Sequence, residues 1–112
     1  MEKESRKVVT SKPFDFIDLP SIHEYGWATF GLKLADCFIE EIYSLIENLS
    51  ANYYLHPECR HLETKSKKYR NIIFGSYLII YRITPNRIEV LRAFHGSRSP
   101  KIIKKSRSIK VY

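Results

Sequence analysis

The hydrophobic rhythm of this chain changes once, near Pro57, and that change restricts what it can fold into. Before it, apolar residues fall at Ala35, Phe38, Ile39, Ile42, Leu45, Ile46 and Leu49. The intervals of three, one, three, three, one and three trace one face of an α-helix. Asp36, Glu40, Glu41 and Glu47 lie off that stripe, and Asn48, Ser50 and Asn52 mark its exit. After Pro57 the pattern is that of strands. Tyr69–Phe74 reads YRNIIF, and Gly75–Ser76 forms a two-residue turn. Tyr77–Thr84 reads YLIIYRIT, Pro85–Asn86 makes a second turn, and Arg87–His95 reads RIEVLRAFH. Strict alternation along that last strand places Ile88, Val90, Arg92 and Phe94 on one face and Glu89, Leu91, Ala93 and His95 on the other. The middle strand is apolar on both faces, so both faces of the meander need cover.

Ahead of the long helix, Val8 and Val9 sit in a short β-like patch from Arg6 to Thr10, ended by Pro13. Leu19, Ile22 and Tyr25/Gly26 recur at helical spacing, and Asp18 before Pro20 suits a helix start. The expected architecture is α+β, in the order β-α-α-β-β-β, with an N-terminal strand and a helical hairpin packed on a small antiparallel sheet. With 112 residues, one domain is expected, with a core over about 6–98. The basic segment 99–112 follows as a short helix, an extra strand or a disordered arm. No apolar run approaches the length of a membrane span. The start, MEKESRKVV, lacks the apolar core of a secretory signal. Cys37 and Cys59 are not paired closely enough for a metal pattern, and read as reduced thiols in a cytoplasmic protein. No metal or cofactor is expected. Cys37, next to the apolar stripe, reads as a small core residue.

Charge divides the chain. Residues 1–59 carry five basic and ten acidic side chains, a net of −5, whereas residues 60–112 carry fourteen basic and two acidic, a net of +12. Such asymmetry points to an acidic partner for the second half: nucleic acid, a ribosome, a DNA-bound enzyme or an acidic protein segment.

The order of elements, with these residues, resembles the RelE/ParE family of bacterial toxins. The likeness rests on FGLKLADCFIEEIYSLIENL and on YRNIIFGSYLIIYRITPNRIEVLRAFHGSR. In the second piece it runs through Tyr69-Arg70, Gly75 and Tyr77, Ile79-Ile80-Tyr81-Arg82, and the strand from Leu91 that ends in His95-Gly96 and Arg98. The resemblance implies a growth-inhibiting toxin of a type II toxin–antitoxin pair, held by a cognate antitoxin. Two branches of the family differ in target. ParE-like members bind DNA gyrase without hydrolysing anything, and RelE-like members cut messenger RNA at the ribosome. The His-Gly-x-Arg ending, together with the absence of a tyrosine between Tyr81 and Tyr112, favours the ParE-like branch. The RelE-like endoribonuclease is the alternative, and a plain nucleic-acid-binding module a second one.

Metal-independent RNA cleavage would need an acid or base and a cationic clamp on the phosphate. His95, Arg98 and Arg92 are the catalytic candidates on that alternative. Arg70, Arg82, Lys65, Lys67 and Lys68 are candidates for contacting the target or nucleic acid. Each also has a structural reading. His95 can be a turn histidine, Arg92 a paired arginine at the edge of the core, and the lysines a solvated loop. Tyr69, Tyr77 and Tyr81 read first as strand aromatics. His23, His56 and His61 show no ligand spacing.

Overall fold

The computed structural model describes residues 5–96 and 98–111, so residues 1–4, Ser97 and Tyr112 fall outside the description. Strand β1 (Lys7–Thr10) leads through a wide helical turn (Phe14–Asp18) into α1 (Leu19–Phe30) and α2 (Leu32–Asn52). A loop then feeds β2 (Tyr69–Phe74), β3 (Tyr77–Ile83) and β4 (Arg87–His95). The sheet order is β1-β4-β3-β2. The last three strands are an antiparallel meander, as the turns at Gly75 and Pro85 require, but β1 pairs with β4 in parallel. The sheet is therefore mixed. Beyond β4, a short helix α3 (Pro100–Lys104) and a tight turn (Lys105–Ser108) carry the chain to Val111.

The two expected helices meet at a sharp break, which the stripe from Ala35 onward did not locate. Gly31 stands at φ +94° and ψ 162° between α1 and α2, a conformation almost reserved for glycine. It reverses the chain so that the two helices pack as a hairpin. Where they meet, a Cβ on Gly26 would lie 3.3 Å from the Cβ of Ala35. Ile22, Ile42, Ile46 and Leu49 face the sheet and pack on Ile72, Ile79, Tyr81, Ile88 and Val90. Cys37 is exposed, contrary to its expected place in the core. It follows Ala35 by two residues, about 200° round the helix, and so points away from the buried stripe. Cys59, in the loop, is buried, and burial pushes its thiol pKa up.

Strict alternation along β4 fails for a specific reason. Tyr81 pairs with Val90, but Ile80 pairs with Arg92, so Leu91 is an extra residue in the strand. Ile88, Val90 and Ala93 thereby face the helices, while Leu91 and Phe94 join the opposite core. The predicted groupings of Arg92 and Phe94 with Val90, and of Ala93 with Leu91, are both corrected by this bulge. Ser11 locks it. Its amide donates to the Val90 carbonyl (2.9 Å) and its hydroxyl to the Leu91 carbonyl (2.5 Å). The same hydroxyl accepts from the Phe14 amide (3.0 Å), which begins the wide turn. One buried serine thus couples the bulge to the start of the helical layer.

The sheet is covered on both faces. The second face carries its own core of Cys59, Leu62, Tyr69, Ile80, Leu91, Phe94, Ile103 and Val111. The loop after α2 and the C-terminal segment supply its outer layer. The basic segment is thus neither an extra strand nor a free arm. It forms a short helix and turn laid across the sheet.

Candidate functional site

Residues from α1 and the adjoining ends of β3 and β4 make a groove of about 340 Å³. His95 closes β4 opposite Tyr77, with ring centroids 5.7 Å apart and planes at 80°. Immediately after it, the Gly96 amide donates to the Ser76 carbonyl at 2.7 Å. A Cβ at Gly96 would stand 3.3 Å from that oxygen, so a glycine suits the position. The Arg98 amide then turns back onto the His95 carbonyl (3.0 Å). Tyr25, Tyr77, Arg92, His95 and Arg98 line the groove together. Burial raises the Tyr77 hydroxyl pKa, and the neighbouring Tyr25 raises it further. Both tyrosines and His95 also line a second, apolar arm of about 430 Å³ that runs between Phe30, Leu34, Phe38 and Gly75. The two arms meet at Tyr25, Tyr77 and His95.

Arg92 is the most constrained cation of the groove. It donates from Nε to Asp18 Oδ2 and from Nη2 to Asp18 Oδ1, both at 2.8 Å. Asp18 is 5% exposed and also accepts the Ala93 amide at 2.8 Å. The guanidinium lies over the Phe94 ring, 4.7 Å from its centroid. The Asp18 carboxylate holds the Arg92 pKa above its ordinary value, outweighing the burial that would lower it. Asp18 does not cap α1 with its side chain, although the sequence placed it at the helix start. Its partner instead lies 74 residues away.

The predicted residues do not form one site. His95, Arg92 and Arg98 share the groove, but Arg70 and Arg82 belong to the other end of the meander, where Tyr69 pairs with Arg82 and Arg82 with Glu89. Arg70 donates from Nη1 to the carbonyls of Tyr54 (3.1 Å) and His56 (2.8 Å) and from Nε to that of Lys67 (3.2 Å). Arg82 donates to Glu89 (2.7 Å), to the Tyr69 hydroxyl (3.4 Å), and to the carbonyls of Arg107 (3.4 Å) and Ile109 (2.9 Å). Burial opposes its charge, yet the bonds to Tyr69 and Glu89 raise its pKa. Lys65, Lys67 and Lys68 are exposed in the loop before β2, with Lys68 over the Tyr69 ring. Asp18 and the apolar arm were missed by sequence reasoning. Asp18 carries no local signal of a distant partner, and Tyr25 was visible only as one more apolar position in α1. Among the described residues, no group of His, Cys, Asp and Glu side chains is placed to hold a metal ion. Among the described residues, no helix is long and apolar enough to cross a membrane.

Comparison with known proteins agrees with this geometry. The family described as the ParE toxin of the type II toxin–antitoxin system parDE matches residues 18–100. The match thus begins at Asp18 and ends five residues after His95. A solved structure titled as the chromosomal ParDE toxin–antitoxin system from P. aeruginosa superposes with a TM-score of 0.66 at 13% identity, covering 82% of this chain and 97% of that one. No curated protein matches the sequence. The helical hairpin and the mixed four-stranded sheet are the architecture that this solved structure shares. With most of its length matched by the family model, the chain belongs to the ParE toxin family of type II toxin–antitoxin systems.

Proposed function

We propose that this toxin arrests growth by binding DNA gyrase, and that its groove is a recognition surface without hydrolytic chemistry. The observation that carries this reading is the engagement of Arg92. Its fork is closed on a buried carboxylate and its face is covered by Phe94. To clamp a phosphate it would have to leave Asp18 behind as an uncompensated buried charge, which costs several kcal/mol. Membership of the ParE family supports the same reading. The test is a supercoiling assay with purified gyrase and relaxed plasmid, run beside primer extension on abundant messages after induced expression. Micromolar toxin is expected to inhibit supercoiling while messages stay intact. New 5′ ends within reading frames, abolished by His95→Ala, would overturn it in favour of a ribosome-dependent endoribonuclease. That second reading draws on His95 and Arg98 sharing the groove with Arg92.

A toxin of this kind is held by a cognate antitoxin, and the apolar arm is the surface that suits one. Phe30 and Leu34 at its mouth are 64% and 58% exposed, and Trp27 and Leu32 stand exposed nearby. Exposed apolar patches of this kind mark protein contacts. Glu41 in the lining and Glu40 beside it favour an antitoxin segment that sets basic residues next to its apolar ones. Leu34→Asp is expected to weaken the antitoxin complex about 10–100-fold, as for loss of an apolar contact near the interface centre. Titration calorimetry with the purified antitoxin measures it. Unchanged affinity in the folded variant would move the docking surface elsewhere.

A further inference from the structure

We infer that the C-terminal segment is a second binding surface, a cationic ridge that grips the phosphate backbone of a nucleic-acid duplex. The segment is two-sided. Ile103 and Val111 are buried against the sheet and Ile102 and Ile109 pack beside them, whereas Lys101, Lys104, Lys105, Arg107 and Lys110 are all exposed. Lys101, Lys104 and Lys105 occupy positions i, i+3 and i+4 and so share one side of the helical segment.

The backbone beneath these cations is held in place. Arg82 donates to the carbonyls of Arg107 and Ile109, and Arg87 to that of Val111. Both arginines in turn pair with the one Glu89 carboxylate, each on a different oxygen. The anchoring cations are therefore spent internally, and the exposed ones are not. None of the five has a carboxylate partner among the described residues. From residue 60 onward the only acids are Glu63 and the buried Glu89. Because the backbone beneath them is already ordered, binding costs these cations side-chain entropy alone.

The shape of the region favours a duplex. A cleft of about 590 Å³ continues the ridge, with Lys68, Arg107 and Lys110 among its lining residues. Its aromatic residue, Tyr69, is buried and stacked under Lys68, so it offers no open platform for a base. Single-strand binders rely on such platforms. A duplex instead presents one charge about every 1.7 Å of axis, which an array of lysines can neutralise without reading sequence. The ridge also lies outside the stretch matched by the family, which ends at residue 100. The inference does not depend on gyrase being the target, because the contact is with nucleic acid alone.

The test uses the full chain and fluorescence anisotropy on a labelled duplex of about 20 base pairs, titrated at several salt concentrations. With five phosphates engaged, the logarithm of affinity should fall with the logarithm of salt at a slope of about −4 to −5. The variant K101Q/K104Q/K105Q/R107Q/K110Q changes only exposed side chains, and circular dichroism checks its fold. It is expected to flatten that slope to near zero and to weaken low-salt binding at least about 100-fold, since each phosphate-contacting cation contributes about one unit of slope. DNA and RNA duplexes of one sequence are run in parallel, and the tighter of the two identifies the source of the backbone. An unchanged slope in the variant would overturn the inference. So would tighter binding to the single strand than to the duplex, or binding to polyglutamate as tight as to either duplex. Gyrase inhibition is measured on the same two proteins, so failure of the ridge and failure of the gyrase reading appear as separate results.

Discussion

Asp18→Ala will destabilise this toxin by about 3–5 kcal/mol, the range for breaking a buried ion pair from one side. The carboxylate receives both prongs of the Arg92 guanidinium and the Ala93 amide. Alanine leaves a half-buried cation without its counter-charge and a buried N–H without an acceptor. Domains of this size have about 5–15 kcal/mol in total, so roughly a fifth or more of the stability is at stake. Denaturant unfolding should show the midpoint falling with little change in slope. Asp18→Asn is the informative control. Its amide oxygen can still accept the Ala93 N–H, but the charge is gone, so the loss should be about 1.5–3 kcal/mol, the worth of a hydrogen bond to a charged group. Arg92→Met in the Asp18→Ala background should recover part of the loss, because the unpaired charge goes with it. A loss below about 1 kcal/mol for Asp18→Ala would mean that water screens the pair as it does at an open surface.

The Asp18–Arg92 pair shows where sequence reasoning stops. The stripe from Ala35 to Leu49 and the meander from Tyr69 to His95 are periodic, and periodicity is a local property that a sequence displays directly. The family likeness rested on those same stretches, and the family match covers them. The bulge at Leu91 is not local in that sense. It exists because Ser11, 80 residues away, satisfies the Leu91 carbonyl. Once present it re-aims Arg92 and exchanges the faces that Ala93 and Phe94 join. Gly31 was legible as a glycine but not as the helix break, because the stripe begins only at Ala35 and says nothing of where its helix starts. The basic C-terminal segment left a short helix, an extra strand and a disordered arm all open, since its isoleucines are interrupted by lysines. Only the uncovered face of the sheet gives those isoleucines somewhere to go. The candidate cations divided in the same way. The strand arginines look equivalent in sequence, yet Arg82 and Arg92 are consumed by Glu89 and Asp18, while Arg98 stays exposed beside His95.

Glu89 is to the second core what Asp18 is to the groove, and Glu89→Ala carries an effect of comparable size with a different signature. The carboxylate is 5% exposed and receives Arg82 Nε on Oε1 at 2.7 Å and Arg87 Nη2 on Oε2 at 2.6 Å. The same guanidinium groups reach the carbonyls of Ile109 and Val111. Removing Glu89 leaves two guanidinium groups converging on an empty position. Relieving their repulsion requires at least one to turn toward solvent, and the carbonyl it held is then released. The expected result is a loss of about 3–5 kcal/mol in global stability. Protection of the amides from Ile103 to Val111 against hydrogen exchange should fall further than that of β3, because the segment opens before the sheet does. Limited trypsin digestion should then cut at Lys104, Lys105 or Arg107 in native conditions, where the parent chain resists. Arg87→Met in the same background should restore part of the stability, since one guanidinium then has no rival, but not the protection around Val111, whose anchor it removes. If protection of the C-terminal segment and of β3 fell equally, the segment would be an integral part of the core and not a separately latched layer. If neither fell, apolar packing of Ile103 and Val111 alone would hold the segment, and the buried carboxylate would serve only as a counter-charge shared by its two arginines.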